Sequence, residues 1–141
     1  MMIRNRTSAF VTTAALAAIC GVVAAKEKTG GGKTSAGMAE YQRGIQLFDN
    51  KQYDQAIVEF SKAILANEKE PAFYENRGFT YLAMQMPGEA AADFSKVIEL
   101  APKEEPAYVG RAQALIQQKI YDQALGDLEQ AFRLKPDDPL A

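Results

Sequence analysis

The sequence contains no histidine and no tryptophan, and its single cysteine is Cys20. Without histidine the chain lacks the commonest general base and metal ligand of proteins, which argues against an enzyme and against a metal centre. One cysteine cannot form a disulfide within the chain or a cysteine-rich metal site. The formal net charge of −2 argues against binding of nucleic acid, which requires clustered basic surface. We therefore expect no catalytic residue, no metal and no cofactor.

What the sequence does contain is typical of a globular domain, because 48% of its residues are hydrophobic and 24% are charged. Its length of 141 residues leaves room for one domain and a terminal segment. Small and apolar residues recur at a step of 34, which is typical of a helical solenoid built from pairs of amphipathic helices. The recurring sets are Gly44, Gly78 and Ala112; Ala56, Ala90 and Ala124; Phe60, Phe94 and Leu128; and Ala63, Val97 and Ala131.

The middle unit, 71–104, resembles the tetratricopeptide repeat family. The residues that carry this resemblance are Tyr74, Gly78, Tyr81, Ala90, Phe94 and Pro102. The resemblance implies an all-α fold, a right-handed solenoid of three helix-turn-helix hairpins. We place the repeats at 37–70, 71–104 and 105–138, followed by a short tail at 139–141.

The N-terminal segment, 1–25, is interpreted as an export signal. Arg4 and Arg6 give a basic start, and 9–25 carries no charge and ends in small residues, so we expect cleavage after Ala25. The alternative is an uncleaved membrane anchor at 9–25, although a span needs about 20 apolar residues. Acylation of Cys20 is disfavoured because Ile19 precedes it. A flexible linker at 26–36 follows, and the protein is expected to be periplasmic or secreted, with membrane contact only if the segment is uncleaved.

Two further sets of residues at the same step carry opposite charges. Arginine recurs at 43, 77 and 111, and an acid recurs at 59, 93 and 127. In an antiparallel hairpin these sets lie near each other, which predicts an ion pair inside each repeat. An arginine ladder for an anionic ligand is the less favoured interpretation, because every arginine has a carboxylate nearby.

The resemblance also implies a concave groove lined by the first helix of each repeat, where members of the family bind protein segments. An apolar and aromatic lining with a few amides suits a segment with hydrophobic anchors. Tyr41, Ile45 and Phe79 are predicted to contact the ligand, whereas Phe48, Leu82 and Ile116 suit either the groove or the core between repeats. The predicted groove residues are Tyr41, Ile45, Asp49, Glu75, Asn76, Phe79, Val109 and Gln113.

One subgroup of the family binds the acidic C-terminal tails of heat-shock chaperones with a clamp of Lys, Asn and Arg. Asn76 stands where that clamp has its asparagine, but Tyr41, Pro106 and Gly110 stand where it has cations. Carboxylate recognition depends on those cations, so a chaperone-tail receptor is disfavoured.

The second helix of the last repeat is expected to leave part of its outer face exposed, including Leu125 and Phe132. An exposed apolar surface of this kind is typical of an association site. The sequence therefore predicts a non-enzymatic adaptor or assembly factor of the cell envelope that binds a protein segment in its groove. The alternative is a self-associating scaffold, a homo-oligomer that uses Leu125 and Phe132.

Overall fold

The computed structural model describes residues 36–135, and within that range the chain forms six α-helices and no strand. The signal segment, all but the last residue of the linker, and the 139–141 tail lie outside the described residues. The helices pair as three antiparallel hairpins that stack in chain order, which confirms the predicted all-α solenoid. The hairpins are α1 (Met38–Asp49) with α2 (Tyr53–Ala66), α3 (Pro71–Ala83) with α4 (Pro87–Leu100), and α5 (Glu105–Gln117) with α6 (Tyr121–Leu134).

The turn inside each hairpin has the same backbone geometry three times. Lys51, Gln85 and Lys119 have φ values of 62°, 58° and 63°, and they are 34 residues apart. After each of them, the next backbone N–H donates to a carbonyl five residues back, as Gln52 does to Leu47 at 2.8 Å. This is the Schellman motif, which satisfies the last carbonyls of the first helix and reverses the chain.

Phe60 and Phe94 are the centres of the core, and neither ring is exposed to solvent. A Cβ added to Gly44 would lie 2.5 Å from Cε1 of Phe60. A Cβ added to Gly110 would lie 2.4 Å from Cζ of Phe94, and one added to Gly78 would lie 3.1 Å from it. A phenylalanine ring therefore occupies the space that each of these glycines leaves.

The predicted ion pairs are present in all three hairpins. Arg77 donates from Nε and Nη2 to the two carboxylate oxygens of Asp93, both at 2.8 Å, and Arg111 binds Asp127 in the same bidentate way. Arg43 in the first hairpin donates to Glu59 at 3.0 Å. These pairs cross from the first helix of a hairpin to the second, so they hold the two helices in register.

Two of these arginines also reach the preceding repeat, a contact that was not predicted from the sequence. Nη1 of Arg77 donates to Oγ of Ser61 at 3.0 Å, and Nη1 of Arg111 donates to Oγ of Ser95 at 3.2 Å. The two serines are 34 residues apart, so the repeat period held the signal. Each arginine therefore joins three helices of the solenoid.

Lowering the pH should remove the stability that Glu59 contributes, but none at Asp93. Hydrogen bonds from Lys62 and Arg43 hold the pKa of Glu59 below its ordinary value of 4.5, so its contribution is present above that pH and is lost on further acidification. Burial raises the pKa of Asp93 against the lowering effect of Arg77, so acidification removes no stability at that carboxyl. In urea unfolding between pH 7 and pH 3, Glu59→Gln should reduce the acid loss of stability. Asp93→Asn should not reduce it, and an equal reduction by both variants would contradict this assignment.

Candidate functional site

The first helices α1, α3 and α5 lie side by side and carry all the predicted groove residues. The structure exposes these residues to very different degrees. Asp49 and Gln113 are exposed, Ile45 and Val109 are half-buried, and Tyr41, Glu75, Asn76 and Phe79 are buried. The accessible part of the groove is therefore its half-buried aliphatic and exposed polar residues.

Tyr41 and Asn76 bind each other across the first two repeats. Nδ2 of Asn76 donates to the hydroxyl oxygen of Tyr41 and to the backbone oxygen of Ala72, both at 2.9 Å. The Tyr41 ring also packs against Phe73, with centroids 5.0 Å apart. The amide of Asn76 is thus engaged in joining α1 to α3.

Phe79 packs edge-on against Phe94, with ring centroids 4.9 Å apart. In this structure the side chains of Tyr41 and Phe79 belong to the packing between helices, so direct ligand contact by either stays a prediction. Phe48 and Leu82 are buried and join the core, whereas Ile116 in the same column is exposed.

The groove offers no positive charge. None of its eight predicted residues is a cation, and of its two acids Asp49 is exposed whereas Glu75 is buried. Arg77 and Arg111 donate to their carboxylates and serines between the helices, so neither offers a free guanidinium fork. The groove has apolar and amide groups to offer a ligand, and little to attract a carboxylate.

A second candidate surface lies on α6, the last helix of the described residues. Leu125 and Phe132 are 58% and 66% exposed, in agreement with the exposure expected of them. Tyr121 and Leu128 on the same helix are also exposed.

Between α4 and α6 the surface forms a cleft of about 530 Å³ lined by small residues that include Ala91, Ala92 and Gly126. Its charged groups, Arg111 and Asp127, are bonded to each other. Within residues 36–135 there is no cluster of acids that could hold a metal ion, and no helix long and apolar enough to cross a membrane.

A family model described as tetratricopeptide repeat matches residues 71–104 and 105–138, the second and third hairpins. These bounds coincide with the repeats expected from the sequence. No curated protein matches the chain.

Several solved structures have a similar fold. The second TPR domain of human RPAP3, in complex with the HSP70 peptide SGPTIEEVD, is 27% identical with a TM-score of 0.69, covering 72% of this chain and 84% of that one. The second TPR of Spaghetti (RPAP3), bound to the HSP90 peptide SRMEEVD, is 26% identical with a TM-score of 0.69, covering 70% and 92%. The Sgt2 TPR domain from Aspergillus fumigatus is 21% identical with a TM-score of 0.69, covering 76% and 74%.

Proposed function

Since this chain belongs to the tetratricopeptide repeat family, whose fold is a non-enzymatic protein-interaction module, we propose that its groove binds an extended or helical segment of another protein. The observation that carries the proposal is the alignment of α1, α3 and α5, which sets the half-buried Ile45 and Val109 beside the exposed Asp49 and Gln113. Aliphatic side chains flanked by polar groups suit a segment that inserts hydrophobic anchors and donates hydrogen bonds.

The ligand chemistry should differ from that of the two RPAP3 domains. Their peptides end in EEVD, an acidic sequence. Here the exposed groove residues include one acid, Asp49, and no cation, so an acidic tail would meet like charge and find no bidentate partner. A segment with spaced apolar residues and a neutral or basic character fits this lining better.

The place of action follows from the N-terminal segment and is part of the same proposal. The basic start, the uncharged run at 9–25 and the small residues before Lys26 support export, with the module acting as an adaptor or assembly factor in the cell envelope. The N-terminal sequence of the mature protein, together with cell fractionation, tests this part. A mature chain that starts at Met1 and is found in the cytosol would contradict it.

To test the groove, peptides that bind the full chain are first selected from a random display library. Ile45→Glu combined with Val109→Glu should weaken the selected peptides at least about tenfold, which corresponds to about 1.4 kcal/mol, because each anchor would then face a charge. Fluorescence anisotropy measures the affinity. The peptide SGPTIEEVD should bind the wild type no better than an unrelated acidic peptide.

Val58→Glu is the matched control, because Val58 is an exposed aliphatic residue of α2, away from the first helices. Circular dichroism checks that both variants stay helical. Gln113→Lys changes an exposed residue and should raise the affinity for SGPTIEEVD without affecting the fold. Equal binding by the wild type and the groove variant, or equal loss in the control, would refute the groove as the binding site.

A further inference from the structure

The outer face of α6 corresponds to the face of α2 and of α4 that the following repeat covers. Phe60 and Phe94 are 0% exposed, but Leu128, in the same column, is 41% exposed. Leu82 is 7% exposed, and its counterpart Ile116 is 45% exposed. Among residues 36–135 nothing packs on this face, so the solenoid presents an interface of the kind that stacks its own repeats.

Four large side chains form a single line along α6, and we name this line the α6 stripe: Tyr121, Leu125, Leu128 and Phe132. Their spacing of four, three and four residues is that of a helix seam that packs against another helix. The order is aromatic, leucine, leucine, aromatic, so it is the same when it is read in either direction. An antiparallel second copy would set Tyr121 opposite Phe132 and Leu125 opposite Leu128. Self-complementarity of this kind is what a two-fold interface requires.

The charges beside the stripe are compatible with an antiparallel second copy but do not select it. Asp122, Glu129 and Arg133 lie on the same flank of α6. Antiparallel pairing brings Asp122 of one copy near both Arg133 and Glu129 of the other, each with an axial offset of about 3 Å, so attraction and repulsion offset each other. The orientation therefore rests on the four large side chains.

The opposite end of the solenoid does not complement the α6 stripe. Gly110 and Ala114 of α5 are buried. The equivalent repeat positions in α1 are occupied by Gln42 and Gln46, and both glutamines are exposed. Stacking α1 of one copy on α6 of another would bury these amides against leucine and aromatic side chains, which costs free energy without new hydrogen bonds. Head-to-tail stacking into open chains is therefore disfavoured.

We propose that two copies of this chain associate through the α6 stripe as a closed antiparallel dimer. The interface is separate from the groove, so it stands whether or not the groove binds peptide. Four partly exposed side chains per copy would bury at most roughly 1,000 Å² in total, which is below the size of stable interfaces and in the range of weak ones. The dimer is accordingly weak, with dissociation in the micromolar range.

Sedimentation equilibrium of the full chain tests association over two orders of magnitude of concentration around the micromolar range. All proteins in these experiments carry Cys20→Ser, so that the native thiol cannot form a disulfide. The wild type should shift from monomer to dimer, and Leu125→Glu should raise the dissociation constant at least about tenfold. Val58→Glu, at a similarly exposed aliphatic residue of α2, should behave as the wild type does. A wild type that stays monomeric, or a dimer insensitive to Leu125→Glu, overturns the proposal.

Orientation is tested by mixing two single-cysteine variants, Tyr121→Cys and Phe132→Cys, under mild oxidation. The antiparallel arrangement predicts disulfides between the two variants. It predicts few within either variant alone, because identical positions would lie about 16 Å apart along the axis. Efficient crosslinking of each variant with itself overturns the antiparallel geometry, and masses that grow beyond the dimer overturn closure.

Discussion

Asp93→Ala is expected to lower the free energy of unfolding by about 3–5 kcal/mol, the usual cost of breaking a buried ion pair from one side. The carboxylate of Asp93 is nearly buried, and Arg77 donates two hydrogen bonds of 2.8 Å to it. Removing the acid leaves the guanidinium between α3 and α4 with Ser61 as its remaining hydrogen-bond acceptor among the described contacts. Urea unfolding followed by circular dichroism measures the change.

The double variant Arg77→Met with Asp93→Leu distinguishes the loss of stability caused by one unpaired charge from the net contribution of the ion pair to the free energy of unfolding. Because the pair is desolvated, its replacement by apolar side chains should recover most of the stability that Asp93→Ala loses. Glu59→Ala should cost less than Asp93→Ala, because the partner of Glu59, Arg43, is exposed to solvent and pairs of this kind contribute less. A loss of less than about 1 kcal/mol for Asp93→Ala would show that the pair behaves as a surface pair.

Gly110→Ala is expected to cost about 1–3 kcal/mol by overpacking the core. The added Cβ would lie 2.4 Å from Cζ of Phe94, and a Cβ at Gly78 would lie 3.1 Å from the same atom, so α3 and α5 both approach the ring tip closely. The change inserts one methyl group at the contact between the second and third hairpins. Thermal unfolding reports the loss.

Gly126→Ala is the matched control, because a Cβ at that position meets nothing within 4 Å. Alanine is the better helix former there and should raise stability by about 0.5–1 kcal/mol. Combining Gly110→Ala with Phe94→Leu should recover part of the loss in the same protein, since leucine is shorter than the ring. If Gly110→Ala proves as harmless as Gly126→Ala, the close approach of Phe94 to α5 is refuted.

The repeat period was sufficient to predict the helices, the hairpin turns and the ion pairs. Each of these is decided within one 34-residue unit, so a pattern that recurs three times reveals it. Arg77 with Asp93 is an example, because both residues lie in the same hairpin and return at the same step. The exposure of Leu125 and Phe132 on α6 was also predicted from the sequence.

Contacts between repeats were harder to predict, because they depend on how closely two hairpins approach. Phe60 lies against Gly44 of its own repeat, while Phe94 lies closest to Gly110 of the next. The column that holds Gly110 in the third repeat holds Asn76 in the second, and Asn76 uses its amide to hold Tyr41. That bond crosses two repeats whose sequences differ, so periodicity carried no signal for it. For this reason the degree of burial of Tyr41 and Asn76 in the groove could not be predicted.

The arginines that bind serines of the preceding hairpin have a consequence for how the protein unfolds. Stability in a solenoid is roughly the sum of the intrinsic stability of each repeat and the coupling between neighbours. Arg77 and Arg111 each contribute to both quantities, because a single guanidinium bonds to its own hairpin and to the one before it. Fraying of one repeat therefore removes a bond from its neighbour as well. This shared bonding favours all-or-none unfolding of the three hairpins over stepwise loss from either end.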